Sequence, residues 1–285
     1  MIDFTLNNGM KIPSLGLGTY RVKSEYCEPA VEHALNNGYR LIDTANFYLN
    51  EVAVGKGIEK SNLKREDVFL TSKIWPSHFA YQKCLEAIDD TLRRLNTDYL
   101  DLLLLHQSVG KYKDAYKALE VAVEAGKLKA IGLSNFVGEE LQDILDIASI
   151  KPVLIQVECH PYYQQKALKE EVAKEGILLE SWFPLGSADK NLLEDPVFVR
   201  LAEKYHKSVV QVILRWHVQY GNIVIPGSKN PIHIDENIDI YDFEFTEEEM
   251  AEIAALDKNK RYFNIPRFVE KALFPQFRIN FNKQR

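Results

Sequence analysis

The segment Cys84-Leu-Glu-Ala-Ile-Asp-Asp-Thr-Leu-Arg-Arg-Leu-Asn-Thr-Asp-Tyr-Leu-Asp-Leu-Leu-Leu-Leu-His106 contains both kinds of element from which the fold is built. From Cys84 to Leu95, apolar residues return every three or four positions and so form one face of a helix. From Leu100 to His106 the chain is apolar almost throughout, which is typical of a strand covered on both faces of a parallel sheet. The segment therefore predicts one helix-strand unit of an α/β protein.

The same alternation of strand and helix recurs along the whole chain. Eight candidate strands can be counted, at residues 15–20, 41–45, 68–74, 100–106, 130–135, 154–160, 177–184 and 223–226. Before the last of them, the apolar spacing from Leu201 to Leu214 predicts one continuous helical face. Eight strand-helix units, with no linker that divides them, predict one domain over residues 1–285 with the fold of a single (β/α)8 TIM barrel.

An open doubly wound sheet is the alternative fold. Its dinucleotide-binding motif needs a third glycine, however, which the first candidate strand, with Gly16 and Gly18, does not have. Two segments lie outside the repeat. Asn8-Gly9 predicts the turn of an N-terminal β-hairpin, and the basic and aromatic tail, residues 258–285, is expected to pack against the barrel or to cover its mouth.

Composition excludes several classes of protein. The 35 Lys and Arg are outnumbered by 41 Asp and Glu, a formal net charge of -6, which argues against nucleic acid as a partner. Cys27, Cys84 and Cys159 are too scattered for a disulfide framework or a zinc site, so we expect a cytoplasmic protein without a bound metal. No apolar run reaches the roughly 18 residues of a membrane span, and the N-terminus lacks the pattern of a secretory signal. We expect a monomer with no membrane partner.

Polar side chains fall where three candidate strands end. Asp43, Lys73 and His106 lie at the ends of the second, third and fourth strands, and Tyr48 follows the second closely. Taken singly, each has a structural explanation: a helix cap, a lysine that reaches solvent, a packed phenol or a hydrogen-bonded core histidine. Together they predict a site, because active sites of such barrels lie at the carboxyl ends of the strands and a buried lysine needs a carboxylate partner.

The four side chains have complementary chemistry. A phenol has an ordinary pKa of about 10, and the ammonium of Lys73 is expected to lower the pKa of Tyr48 and so to tune it as a proton donor. Asp43 would keep Lys73 charged and oriented, while His106 would offer a hydrogen bond to the oxygen of a bound carbonyl. These residues predict a site that protonates a developing alkoxide, but no side chain among them supplies hydride.

Ordered motifs also carry a resemblance to a known family. They are Leu15-Gly-Leu-Gly-Thr-Tyr20, Gly38-Tyr-Arg-Leu-Ile-Asp-Thr-Ala-Asn-Phe-Tyr-Leu-Asn-Glu-Val-Ala-Val-Gly55, Leu70-Thr-Ser-Lys-Ile-Trp75, Leu104-Leu-His-Gln107, Ile131-Gly-Leu-Ser-Asn-Phe136, Gln156-Val-Glu-Cys-His-Pro161 and Ile225-Pro-Gly-Ser228. In these motifs the chain resembles the aldo-keto reductases, in particular bacterial members similar to 2,5-diketo-gluconate reductase or aldehyde reductase. The resemblance covers nearly the whole chain and implies a (β/α)8 barrel whose bottom the N-terminal hairpin closes.

The resemblance implies an activity as well. It is that of an NAD(P)H-dependent oxidoreductase, which reduces small aldehydes or ketones to alcohols by hydride transfer with Tyr48 as the general acid. The catalytic tetrad of the family maps onto Asp43, Tyr48, Lys73 and His106. The substrate is expected to contact Tyr20, Tyr48, Trp75 and His106. The tail aromatics Tyr262 and Phe263 either line this pocket or pack in the ordinary way.

A nicotinamide dinucleotide, extended across the rim of the barrel, is implied in the same way. Ser134, Asn135 and Gln156 match residues that bind the nicotinamide carboxamide, although strand-end capping and a satisfied core amide would also explain them. Trp182 stands where the family stacks an aromatic ring on the nicotinamide. The expected cofactor contacts are Gly18, Thr19, Tyr20, Asp43, Ser134, Asn135, Gln156, Trp182, Phe183, Leu185, Gly186, Ile225, Gly227, Ser228, His233 and, at the adenine, Glu236 and Asn237.

Three of these positions depart from the pattern of the family. Phe183 stands where relatives often have a small hydroxyl residue, so one phosphate contact is in doubt. Gly227 and His233 stand where NADPH-preferring relatives commonly carry Lys and Arg, the cations that hold the adenosine 2′-phosphate. Each lost charge-assisted contact costs roughly 1.5 to 3 kcal/mol, which Ser228, Lys229 and His233 would offset in part. We therefore expect NADP(H) as the cofactor, with a weakened preference that allows dual use of NAD(H).

Other classes of protein stay open at the level of the residues. Glu158 and Glu180 lie on neighbouring candidate strands, and paired carboxylates hydrolyse glycosides, although a structural network inside the barrel explains them better. His106 and His160 alone are few for a metal hydrolase. A barrel that only binds a dinucleotide, as a redox sensor or a channel subunit, would not need the tetrad.

Overall fold

Eight parallel strands form the centre of the molecule, seen here in a computed structural model that describes residues 2–277 and 279–284. They follow the hairpin strands β1 (Asp3–Thr5) and β2 (Lys11–Pro13), and are β3 (Leu17–Gly18), β4 (Leu41–Asp43), β5 (Phe69–Ile74), β6 (Leu102–Leu105), β7 (Ile131–Ser134), β8 (Leu154–Glu158), β9 (Leu178–Trp182) and β10 (Ile223–Val224). Each pairs in parallel with the next from β3 to β10. Bridges from Leu15 to Val224 and from Gly18 to Gly227 join the first strand to the last. The predicted (β/α)8 barrel is confirmed.

The strands are shorter than the apolar runs that predicted them. β3 covers two residues where the run spans 15–20, because the chain turns away at Arg21, which has a φ of 61°. The backbone N–H of Thr19 still donates to the oxygen of Asp43 at 3.0 Å, so the contact with β4 continues past the end of the strand. The apolar character of a run therefore extends into the turns at the rim, where the sheet has already ended.

Helices surround the strands in the expected alternation. They are α1 (Ser24–Asn36), α2 (Glu51–Lys60), α3 (Tyr81–Leu95), α4 (Tyr112–Glu124), α5 (Glu139–Ile147), α6 (Lys166–Ala173), α7 (Lys190–Leu193), α8 (Pro196–Tyr205), α9 (Val209–Gln219), α10 (Pro231–Ile238), α11 (Glu247–Ala254) and α12 (Arg267–Leu273). Ile88 and Leu92 of α3, for example, are buried in one cluster with Leu103 and Leu105 of β6. Each such side chain contributes roughly 1.5 to 3 kcal/mol of burial free energy.

The continuous helical face expected from Leu201 to Leu214 is wrong. α8 ends at Tyr205, and the next residue, His206, has the left-handed conformation with a φ of 54°. α9 then begins after Ser208, whose hydroxyl accepts from the N–H of Gln211 while the Gln211 side chain accepts from the N–H of Ser208. This capping box starts a second helix, so the apolar spacing continues across a break in the backbone.

The hairpin and the tail close the two ends of the barrel. Leu6, beside the hairpin turn, and Ile12 of β2 are buried with Leu41, the first residue of β4, so the hairpin covers the bottom as expected. At the other end the indole of Trp75 donates to the backbone oxygen of Phe274 at 3.0 Å, so the tail lies over the mouth. Along the described residues, helices of the length and apolarity needed to cross a membrane are absent.

Candidate active site

The ends of β4 and β5 bring Asp43, Lys73 and Tyr48 together. Asp43 is the last residue of β4, and Lys73 is the last but one of β5. Tyr48 ends a short 3-10 turn, residues 46–48, that follows β4 closely. Asn50 fixes the end of this turn, because its side-chain oxygen accepts from the hydroxyl of Thr44 at 2.9 Å. The turn therefore places the side chain of Tyr48 over the ends of β4 and β5.

Lys73 is the centre of the arrangement. Its ammonium donates to Oδ1 of Asp43 at 2.5 Å, to the backbone oxygen of Thr44 at 2.9 Å and to Oη of Tyr48 at 3.2 Å. Its side chain is 0% exposed, so the charge exists there only because it is paired. Burial disfavours that charge, but the carboxylate of Asp43 raises the pKa of Lys73 above its ordinary value. Gln156 completes the site by donating to Oδ2 of Asp43 at 2.9 Å.

The pKa of Tyr48 differs from the expectation. Burial raises it to about 12, because desolvation of the phenolate outweighs the attraction of the Lys73 ammonium. The prediction that Lys73 brings this pKa below its ordinary value is therefore wrong. Tyr48 keeps its proton at neutral pH, and Lys73 reduces the cost of releasing it.

His106 faces the phenol as a neutral ring. It directly follows β6, and its centroid lies 5.6 Å from that of Tyr48 and 5.1 Å from that of Trp75, both edge-on. Burial, and then the charge of Lys73, hold the pKa of His106 well below its ordinary value. Nδ1 is buried without a hydrogen-bond partner among the described residues. The ring therefore offers one N–H donor and one acceptor beside the hydroxyl of Tyr48.

The residues expected at the nicotinamide also meet at the strand ends. Asn135 follows β7 with a φ of 63° and donates its amide to the backbone oxygen of His106 and to the hydroxyl of Ser134, both at 3.1 Å. Its side-chain oxygen accepts from the indole N–H of Trp182 at 3.0 Å. The half-buried Trp182 ring and the amides of Asn135 and Gln156 make an aromatic face edged with donors and acceptors. Such a set fits a planar ring that carries a carboxamide.

The remaining expected cofactor contacts follow one side of the rim. They are Gly18 at the end of β3 with Thr19 and Tyr20 after it, Phe183, Leu185 and Gly186 after β9, Ile225, Gly227 and Ser228 after β10, and His233, Glu236 and Asn237 on α10. A Cβ on Gly18 would lie 2.6 Å from the backbone oxygen of Ile225, and one on Gly227 would lie 3.1 Å from that of Gly18. Glycine is needed where the two strand ends approach each other this closely.

Lys229 and His233, two residues expected near the 2′-phosphate, both lie at the surface. His233 is exposed near the start of α10. The ammonium of Lys229 lies 4.3 Å from the centre of the Tyr26 ring, a cation-π contact that holds the lysine at the surface. Both side chains are therefore accessible from solvent on this side of the rim.

Aromatic side chains form one wall of the mouth. Trp75 stacks on Phe47 at a centroid distance of 3.9 Å. Tyr20, which is 46% exposed, lies 5.0 Å from the ring of Tyr48. The sequence reasoning gave no role to Phe47, although its place directly before Tyr48 is a signal that it shares the same turn.

Glu158 has a role that the sequence did not suggest. It is 1% exposed, and its carboxylate accepts from the backbone N–H of Tyr262 at 2.6 Å and from Nε of Arg261 at 3.3 Å. The carboxylate therefore fastens the tail to the end of β8. The ring centroid of Phe263 lies 5.2 Å from that of Trp182, whereas the ring centroid of Tyr262 lies 4.7 Å from that of His160. Packing thus explains Tyr262, and Phe263 lies at the edge of the site.

The alternatives to a reductase gain nothing from these positions. Glu158 is occupied by the tail, and Glu180 is 0% exposed inside the barrel, so the two do not flank an open cleft as glycoside hydrolysis requires. The two histidines considered for a metal hydrolase have different neighbours. His160 packs against Tyr262 of the tail, whereas His106 packs against Tyr48 and Trp75.

Comparison of the sequence with known proteins gives consistent matches. A sequence model of the Aldo/keto reductase family matches residues 14–258. Glyoxal reductase of Bacillus subtilis is 45% identical over 258 residues, which cover 90% of this chain and 93% of that protein. Morphine 6-dehydrogenase of Pseudomonas putida is 39% identical over 286 residues, which cover 95% of this chain and 97% of that protein.

Solved structures agree with the sequence matches. An aldo-keto reductase from a deep-sea metagenome library superposes with a TM-score of 0.90 at 39% identity, over 92% of this chain and 97% of that one. An aldo-keto reductase of Bombyx mori in complex with NADP gives a TM-score of 0.90 at 31% identity, over 96% of this chain and 98% of that one. The similarity therefore extends over the barrel and most of the tail.

Proposed function

Because the chain belongs to the aldo/keto reductase family of oxidoreductases, we propose that it reduces aldehydes or ketones to alcohols with NAD(P)H, and that Tyr48 supplies the proton. One observation carries this proposal. The hydroxyl of Tyr48 lies 3.2 Å from the ammonium of Lys73, which is itself sealed in the barrel and held 2.5 Å from Asp43. A phenol next to a buried cation is placed to give a proton to a developing alkoxide.

Each side chain then has one task. Lys73 stabilises the phenolate that Tyr48 becomes, and Asp43 keeps Lys73 charged and oriented. His106, as a neutral ring, donates a hydrogen bond to the carbonyl oxygen and so holds that oxygen beside the hydroxyl of Tyr48. The reduced nicotinamide, when bound, supplies the hydride.

Four side chains would position the nicotinamide. Trp182, oriented by Asn135, presents its ring face to one side of the nicotinamide. The amides of Asn135 and Gln156 and the hydroxyl of Ser134 would bind the carboxamide, and the side-chain oxygen of Asn135, which has two lone pairs, can accept from it while it keeps the hydrogen bond from Trp182. Stacking on Trp182 and the contacts to the carboxamide would together fix which face of the nicotinamide meets the substrate.

The preference between NADP(H) and NAD(H) depends on the residues that would surround the adenosine 2′-phosphate. With Gly227 and His233 in place of Lys and Arg, the 2′-phosphate would be held by Lys229, Ser228 and His233 alone. We infer NADP(H) as the cofactor with a reduced preference over NAD(H). The Bombyx mori relative, whose structure contains NADP, supports the dinucleotide itself.

The substrate in this proposal is a small carbonyl compound. It would enter beside the wall formed by Phe47, Trp75 and Tyr20 and bring its carbonyl to His106 and Tyr48. The relatives are named for substrates as different as glyoxal and morphine, so the tail and the loops set the choice between them. We place the enzyme in the cytoplasm as a monomer.

The direct test is consumption of NADPH and of NADH by the purified chain, followed by absorbance, with glyoxal and with an aromatic aldehyde as substrates. We expect turnover that depends on both the cofactor and the carbonyl compound. Absence of turnover with every aldehyde and both cofactors would contradict the proposed function.

A further inference from the structure

Glu180 is a buried acid that the proposed mechanism leaves unused. It lies on β9, is 0% exposed, and neither of its carboxyl oxygens has a hydrogen-bond partner among the described residues. In the sheet it pairs with Gln156 of β8 on one side and with Ile223 of β10 on the other. Side chains paired across neighbouring strands point to the same face. Glu180 therefore points into the barrel beside Gln156, whose amide donates to Asp43.

The charges around Glu180 disfavour its ionisation. Asp43 of β4 and Lys73 of β5 act on it from across the barrel, while Gln156 and Ile223, its neighbours in the sheet, carry no charge. Asp43 and Lys73 already neutralise each other at 2.5 Å. An ionised Glu180 would add a second buried negative charge without a partner of its own. Burial, and then the charge of Asp43, raise the pKa of Glu180 to about 8, against the opposing effects of Lys73 and Gln156.

We propose that Glu180 is a positioning residue of the tetrad, which carries a proton at neutral pH and so leaves Asp43 unopposed as the counter-ion of Lys73. As the pH rises, one proton leaves Glu180 for solvent, and a negative charge appears close to the tetrad. That charge disfavours the phenolate of Tyr48, so proton donation to the substrate slows. This consequence for the reaction rests on the proposed function, whereas the protonation of Glu180 does not.

The pH dependence of turnover tests the positioning role. Glu180→Gln keeps the shape of the protonated acid and removes its titration. We expect kcat of the wild type to fall with an inflection near pH 8. In Glu180→Gln we expect that inflection to move up by about one pH unit or more, with kcat at neutral pH within about threefold of wild type, since a shift of one unit is a tenfold change in the proton equilibrium.

Glu249→Gln is the matched control, because Glu249 is a buried carboxylate on α11 that binds Lys204 and Tyr205 and contacts neither the tetrad nor the tail, and glutamine can keep its place in the capping box of that helix. In this control the inflection should stay where it is in the wild type. Coincident pH profiles of the wild type and Glu180→Gln would overturn the positioning role, and so would an equal shift in Glu249→Gln.

A second measurement is independent of activity. Because the pKa of Glu180 lies above its ordinary value of 4.5, the unfolded chain releases this proton at lower pH than the folded chain does. The wild type should therefore lose stability relative to Glu180→Gln as the pH rises from about 4.5 to about 8, and the difference should level off above that range. Urea unfolding of both proteins at several pH values measures this difference.

The two measurements distinguish failure of the proposal on Glu180 from failure of the proposed function. A stability difference that is constant over this range would show Glu180 to be already ionised and would overturn the proposal even in an active enzyme. Loss of the proposed function would appear instead as absence of turnover in the wild type, and the stability slope would still report the proton on Glu180.

Discussion

The indole N–H of Trp182 donates to the side-chain oxygen of Asn135 at 3.0 Å, and this one contact ties the end of β9 to the residue that follows β7. The same Asn135 amide donates to the backbone oxygen of His106 at 3.1 Å. A single side chain thus orients the ring proposed to stack on the nicotinamide and fixes the segment that carries the proposed carbonyl-binding histidine.

Removal of this contact should weaken cofactor binding. In Asn135→Ala the indole loses its acceptor, and a hydrogen bond of this kind contributes about 0.5 to 1.5 kcal/mol, so we expect NADPH affinity to fall roughly two- to tenfold. Quenching of tryptophan fluorescence during titration with NADPH measures the Kd. Asn135→Asp, which keeps an acceptor oxygen for Trp182, is the control and should bind more tightly than Asn135→Ala. Equal Kd values for wild type and Asn135→Ala would show that Trp182 does not depend on this amide.

Loss of the buried cation should destabilise the whole protein. In Lys73→Met the carboxylate of Asp43 is left buried without its partner, and breaking a buried pair from one side typically costs about 3 to 5 kcal/mol of unfolding free energy. Urea unfolding at neutral pH checks this value. The double variant Lys73→Met with Asp43→Asn removes both charges and should recover part of the loss. A double variant less stable by the full sum of both single losses would show that the two charges do not interact.

A cation restored at the adenosine end should strengthen NADPH binding. In His233→Arg a permanently charged guanidinium, which can bind a phosphate through two parallel N–H groups, replaces an imidazole, so we expect NADPH affinity to rise up to roughly tenfold while NADH affinity stays unchanged. Fluorescence titration with both dinucleotides measures the ratio. Gly227→Lys would add a cation at the other position but would also disturb the backbone. A Cβ there lies 3.1 Å from the backbone oxygen of Gly18, so the two strand ends must separate slightly. An equal gain for NADH would place His233 away from the 2′-phosphate.

Acidic pH should weaken the attachment of the tail to the end of β8, which depends on the carboxylate of Glu158. Burial opposes the ionisation of Glu158, but the nearby His160 ring, whose Nε2 lies 3.5 Å from Oε1, the hydrogen bond from the N–H of Tyr262 and the charge of Arg261 hold its pKa below the ordinary value of 4.5. A lowered pKa means that the contribution of Glu158 to stability is present above about pH 4.5 and is lost as the pH falls through the folded-state pKa. Limited proteolysis should therefore cut the tail faster in acid than at neutral pH.

The matching variant is Glu158→Gln, which should be cut at neutral pH as fast as the wild type is in acid. Glu244→Gln removes a carboxylate whose side chain is 80% exposed and serves as the control. Equal cutting rates for all three proteins at neutral pH would mean that Glu158 does not hold the tail.

Local rules explain why the barrel and the core of the site were predictable. A strand buried on both faces must be apolar, and a helix packed on it needs one apolar face, so the alternation of the two is visible in the sequence. Because the carboxyl ends of parallel strands share one rim, the positions of Asp43, Lys73 and Tyr48 already indicated that they meet. These features depend on neighbours along the chain and on the topology alone.

Features that depend on distant contacts were not predictable. The pKa of Tyr48 is set mainly by burial, and the rings that pack on Tyr48, those of Tyr20 and His106, come from distant parts of the chain. The hydrogen bond from the backbone N–H of Tyr262 to Glu158 joins residues that are 104 positions apart, and no local sequence pattern predicts it. The break between α8 and α9 depends on one left-handed residue, His206, a conformation that histidine adopts without a sequence signature.

Proton donation by Tyr48 is tested most directly by the Tyr48→Phe variant, with kcat for aldehyde reduction and Kd for NADPH measured on the same preparation. The phenyl ring keeps the packing against Tyr20 and His106 and removes the one hydroxyl that Lys73 contacts. We predict a fall in kcat of at least about a hundredfold, as expected for loss of a general acid, with Kd within about twofold of wild type. Retention of most of the turnover would contradict the assignment of Tyr48 as the acid.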